Sequence, residues 1–127
     1  MKVFRDPETV HAPLAGYSHQ VLIEGERLLV LSGQVGMTPD GTVPEDPVDQ
    51  LGVALDNVVR NLEAAGMTVR DLVKLTIYAA GELDPVRRRE AFASRLGDHR
   101  PAMTLVHVAA LASPALKVEV DAMAAGV

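Results

Sequence analysis

The side chains in this sequence able to do acid–base work are Tyr17, His19, His107, Glu119 and Asp121. A carboxylate held near neutral pKa can take a proton from water, and a tyrosine hydroxyl can orient a small polar substrate. Other chemistries are poorly supplied. Cysteine is absent, which leaves no disulfide framework, no thiol nucleophile and no thiolate metal ligand. His11, His19, His99 and His107 show neither His-x-His nor His-x-x-x-His spacing, so no metal site is expected. Gly33 and Gly36 are too few for a dinucleotide fingerprint, and no Gly-Lys-Ser/Thr follows them. Ser32-Gly33 also lacks the Gly-x-Ser-x-Gly elbow of a hydrolase nucleophile.

A chain of 127 residues has room for one core, so a single domain over 1–127 is expected. Hydrophobic residues make up 48% while aromatics are 3%, which calls for an aliphatic core of Val, Leu, Ile and Ala. The start of the chain has no signal-like apolar run, and no stretch nears the roughly 20 apolar residues of a membrane span. A cytoplasmic protein without a membrane partner is the expectation. The net charge of −5 argues against nucleic acid as a partner, and the cationic run Arg87-Arg88-Arg89 reads as a solvated helix face.

The elements that must position those side chains follow from local rules. Residues 17–24 read as a strand, Gly25-Glu26 turns, and a second apolar run spans 27–35. Asp46-Pro47 is a cap followed by a proline at the first helical position. Val48, Leu51, Leu55, Val58 and Leu62 then form one apolar stripe that ends at Gly66. Thr68 to Asp71 resembles a capping box, and a strand over 72–79 alternates Val73, Leu75 and Ile77 with Lys74, Thr76 and Tyr78. Asp84-Pro85 starts a second helix that stops at Gly97. Strands are expected over 102–109 and 116–124, with a further one near Val3. This order predicts an α+β domain whose mixed sheet carries both helices on one face. Leu29, Leu31, Leu105 and Val118 are expected on the uncovered face, which would bury itself in a closed homo-oligomer.

A set of phrases in this order carries a resemblance across nearly the whole chain. They are Gly16-Tyr17-Ser18-His19-Gln20-Val21, Leu31-Ser32-Gly33-Gln34-Val35-Gly36, Gln50 with Leu55-Asp56-Asn57-Val58, and Ala64-Ala65-Gly66-Met67. Asp71 to Tyr78, Arg100-Pro101-Ala102 and Lys117 to Ala124 complete the set. Together they resemble the RidA/YjgF family of enamine and imine deaminases. The resemblance implies a chorismate-mutase-like fold, a homotrimer with clefts between subunits, and hydrolysis of a 2-imino acid to a 2-keto acid and ammonia without metal or organic cofactor. It also implies that Tyr17 and Glu119 are catalytic, and that Ser32, Gly33, Ala102 and positions 103 and 105 line the substrate site.

One departure changes the expected ligand. Deaminating members carry an arginine after Pro-Ala that grips the substrate carboxylate, and Met103 stands there instead; Leu105 replaces a common cysteine. Losing a bidentate, charge-assisted contact of about 1.5–3 kcal/mol per bond removes orders of magnitude in affinity. Arg100, an odd number of residues from Met103, is expected on the other side of the strand. Arg87, Arg88 or Arg89 could reach a cleft edge, but nothing in the sequence places them there. A more apolar, uncharged ligand is therefore expected, with Glu119 desolvated beside Met103 and Leu105 and its pKa raised. The alternatives are a non-catalytic trimer that binds a small molecule or a protein, and a ribonuclease. The acidic charge and the lack of a His–Lys or His–His pair weigh against the ribonuclease.

Overall fold

A computed structural model describes residues 1–127. The strands are β1 (Lys2–Arg5), β2 (Gln20–Ile23), β3 (Arg27–Val30), β4 (Gln34–Val35), β5 (Leu72–Ala79), β6 (Ala102–His107) and β7 (Val118–Gly126). The helices are α1 (Pro47–Ala64) and α2 (Pro85–Leu96). β1 and β2 pair as a separate antiparallel ribbon. The main sheet runs β3-β7-β5-β6, with β4 also on β7; only β5 and β6 are parallel. Both helices cover one face, as the α+β reading predicts.

The helices begin where the cap-and-proline pairs put them. Asp46 accepts hydrogen bonds from the Val48 and Asp49 N–H groups, and Asp84 accepts one from that of Arg87. Gly66 and Gly97 hold the positive φ angles that follow the helices, 72° and 60°. Thr68 and Asp71 close the expected capping box around a single 3-10 turn. The stripe Leu51, Leu55, Val58 and Leu62 is completely buried against Leu75, Ile77, Val118 and Val120. Each such aliphatic side chain contributes about 1.5–3 kcal/mol by leaving water.

Asp46 also pairs with Arg87 of α2, Oδ2 to Nη1 at 2.7 Å, and that bond holds its carboxyl below the ordinary 3.8. A depressed folded pKa means stability present above 3.8 and lost as the pH falls through the folded value. Asp46→Asn keeps a capping side chain and removes the charge. Its Tm is expected to lie below the wild type at pH 6, with the gap closing as acid protonates Asp46. A gap constant from pH 6 to pH 2 would show that the pair with Arg87 stabilises nothing.

Two expectations need correction. The apolar run over 27–35 is not one strand: it breaks at residues 31–33 between β3 and β4. Leu29, Leu31 and Leu105 pack on the helix-side core, and Val118 is wholly buried there. Alternation separates two faces but does not say which one the helices cover. The open face instead carries Lys74, Thr76 and Tyr78 of β5 with Glu119, Asp121 and Met123 of β7. Its exposed apolar residues are Leu28 at 57%, Val30 at 65% and Val106 at 39%. No helix is long and apolar enough to cross a membrane.

Candidate functional site

Tyr17 sits in the loop before β2, and Ser18 fastens that loop to the start of β6. The Ser18 hydroxyl donates to the Arg100 carbonyl at 2.6 Å and its N–H to the Pro101 carbonyl at 3.1 Å. Ser18 is buried, so these bonds are shielded from water and pin Tyr17 beside β6. The Tyr17 ring meets the edge of His19 with centroids 5.5 Å apart, and His19 in turn meets His11 at 5.0 Å. The Tyr17 hydroxyl accepts the Leu14 N–H at 3.1 Å, leaving its own proton to offer elsewhere.

A cavity of about 580 Å³ opens at this point between α2 and β6. Tyr17, Met103, Leu105, Arg88, Arg89 and Arg100 all line it. Met103 is pocket-lining as expected. Arg100 is a correction: it lies on the same cavity as Met103, because it precedes β6 across Pro101 and does not follow the strand's alternation. The arginines of α2 are a second correction to the apolar cleft. Met103 and Leu105 supply an apolar wall, but cations share the space with them. His107, at the end of β6, is exposed and lies outside the cavity lining.

Glu119 lies elsewhere. It pairs in register with Tyr78 of β5 and Val35 of β4, on the open face. A Cβ placed at Gly33 would collide with the Glu119 carboxylate, so the side chain lies directly against the Gly33 backbone. That contact explains the glycine. Ser32 is exposed beside it, and its carbonyl accepts from the Gln34 side chain at 3.1 Å. Tyr78 donates its hydroxyl to Asp121 Oδ2 at 2.9 Å, which, with burial and the charges of Asp121 and Glu119, holds the phenol above its ordinary 10. Ala102 pairs with Lys74, on this face too.

The expected site residues therefore form two groups. Tyr17, Met103 and Leu105 meet on the helix side of β6, while Ser32, Gly33, Glu119 and Ala102 belong to the other face. β6 and β7 are separated by β5, so about 10 Å of sheet and its thickness stand between the groups. Glu119 is not desolvated by Met103 and Leu105 of its own chain. Spacing left Arg88 and Arg89 unplaced and put Arg100 on the wrong side.

Comparison with known proteins agrees with the fold. The family model described as Endoribonuclease L-PSP matches residues 8–126. The chain belongs to the RidA/YjgF (Endoribonuclease L-PSP) family. A RutC family protein of Pyrococcus horikoshii is 31% identical over 119 residues, covering 92% of each chain. The 2-iminobutanoate/2-iminopropanoate deaminase of Escherichia coli K12 is 32% identical over 120 residues, covering 91% of this chain and 93% of its own. Among solved structures, the Rid family protein YyfB of Yersinia pestis superposes with a TM-score of 0.84 at 29% identity, covering 97% of each chain. The family match and the superposition each span nearly the whole chain.

Proposed function

We propose that this RidA/YjgF member hydrolyses an imine or enamine other than an ordinary 2-imino acid, without a cofactor, at a site shared between copies in a homotrimer. The observation that carries the reading is the Glu119 carboxylate, held against the Gly33 backbone and facing away from its own core. The similarity to a 2-iminobutanoate/2-iminopropanoate deaminase supports the reaction class.

In the proposed reaction, an enamine first gains a proton on carbon and loses one from nitrogen to become the imine. Glu119 accepts a proton from water as the water oxygen bonds to the imine carbon and the imine nitrogen takes up a proton, giving a carbinolamine. Glu119 returns its proton to the nitrogen, the C–N bond breaks as the hydroxyl gives up its own proton, and ammonia leaves behind a carbonyl. Tyr17 donates its free hydroxyl proton to orient the substrate. Completion by a second copy is supported by the two-sided layout and by the uncovered apolar residues Leu28 and Val30, which a neighbouring sheet would bury.

Ammonia release from a panel of imines generated in situ tests the reaction. Met103→Arg supplies a bidentate carboxylate partner, so it is expected to raise kcat/KM on short 2-imino acids by about 10- to 100-fold. If neither the wild type nor Met103→Arg turns over any imine, the hydrolase reading fails. Met103 itself favours a second reading, a trimer that binds a small molecule without reaction. That reading predicts ligand-induced thermal shifts with no turnover.

A further inference from the structure

We propose that the cavity between α2 and β6 recognises an anion, with Arg88, Arg89 and Arg100 standing in for the arginine that Met103 displaces. The ligand class is a small molecule with a carboxylate set away from its reacting carbon. The part that concerns the reacting carbon rests on the hydrolase reading; the anion site does not.

The helix geometry separates the arginines of α2. Arg87, Ala91 and Arg95 follow one another at four-residue intervals on the side facing α1. Arg88, Phe92 and Leu96 follow at the same interval on the side facing the cavity, with Arg89 three residues before Phe92. The first set is already neutralised: Arg87 pairs with Asp46 at 2.7 Å and Asp49 at 3.0 Å, and Arg95 with Asp56 at 3.1 Å. Arg88, Arg89 and Arg100 have no carboxylate within ion-pair distance, in a chain whose net charge is −5. The acidic group on the same lining, Asp98, is held by Arg70 at 2.6 Å.

Several cations around a cavity repel one another unless an anion joins them, and a guanidinium presents its donors in a fork that fits a carboxylate. Met103, Leu105 and Phe92 give the same cavity an apolar wall for the ligand's carbon skeleton. A 2-imino acid keeps its carboxylate next to the reacting carbon, where Met103 offers nothing. A longer acid places it at the arginines.

Calorimetric titration with succinate and glutarate, against their uncharged diamides, tests the site in the intact protein. The diacids are expected to bind at least about 10-fold more tightly than the diamides, and more weakly at raised salt. Arg88→Gln/Arg89→Gln should abolish that preference, while Arg87→Gln, outside the cavity, should keep it. Equal binding of acid and amide, no binding of either diacid, or a preference that survives in the double variant overturns the proposal. If the double variant loses diacid binding but the wild type turns over no imine, the hydrolase reading alone fails. If imines are turned over without any preference for the acids, the anion site alone fails.

Discussion

Glu119→Gln is expected to lower imine hydrolysis by about 100- to 10,000-fold, the usual contribution of one well-placed general base. Glutamine keeps the shape that lies against Gly33 and still offers an oxygen, but it cannot take the proton that water must lose. The fold should be indifferent, since Glu119 forms neither an ion pair nor a side-chain hydrogen bond in its own chain, and Tm is the control. Loss of kcat with a normal melting curve is the expected pattern. Activity within a few-fold of wild type would remove Glu119 from the mechanism.

The two-sided layout makes the same variant a probe of assembly. If each site takes Tyr17 from one copy and Glu119 from the next, Glu119→Gln and Tyr17→Phe proteins are each impaired everywhere. Mixed after dissociation, they should recover about one quarter of wild-type sites, because random association rebuilds some sites with both groups intact. No recovery in trimers shown by mass to be mixed would place both groups in one chain's site.

Much of the fold was legible because it obeys short-range rules. Asp46-Pro47 and Asp84-Pro85 cap helices through bonds made within three residues, and Gly66 and Gly97 end them through their own φ angles. The fold class followed from the order of such elements. What was not legible depends on distant partners. Leu29 and Val118 alternate correctly, yet only the packing of α1 decides that theirs is the covered face. Gly33, in the interruption of the run over 27–35, lies against the Glu119 carboxylate from far along the chain, which fills the space a side chain there would need. Arg100 escaped the strand's parity by preceding Pro101. Tyr17 and Glu119 were recognisable by resemblance, but their separation by a sheet was not, since phrases in sequence carry no faces.

Gln50→Leu is expected to destabilise the protein by about 3 kcal/mol, although the residue lies outside both site groups. Gln50 is fully buried on α1, next to the apolar stripe. Its Nε2 donates to the Pro44 carbonyl at 2.8 Å and the Ala115 carbonyl at 2.9 Å, and its Oε1 accepts the Lys117 N–H at 2.7 Å. Only one amide orientation serves two carbonyls and one N–H, so the three partners specify it. Leucine fills a similar volume but leaves all three backbone groups without a partner, at about 1–3 kcal/mol each where water cannot reach them. Pro44, Ala115 and Lys117 keep some access to solvent, which brings the sum toward the lower end. A total stability of about 5–15 kcal/mol would then lose a large fraction. Urea unfolding should show a lower midpoint with an unchanged slope. A loss under about 1 kcal/mol would mean that water replaces the amide at all three groups. The same bonds join the segment before α1 to the lead-in of β7, so a loosened Gln50 should also blur the register that sets Glu119 against Gly33. Activity in Gln50→Leu is therefore expected to fall at temperatures below its own melting transition.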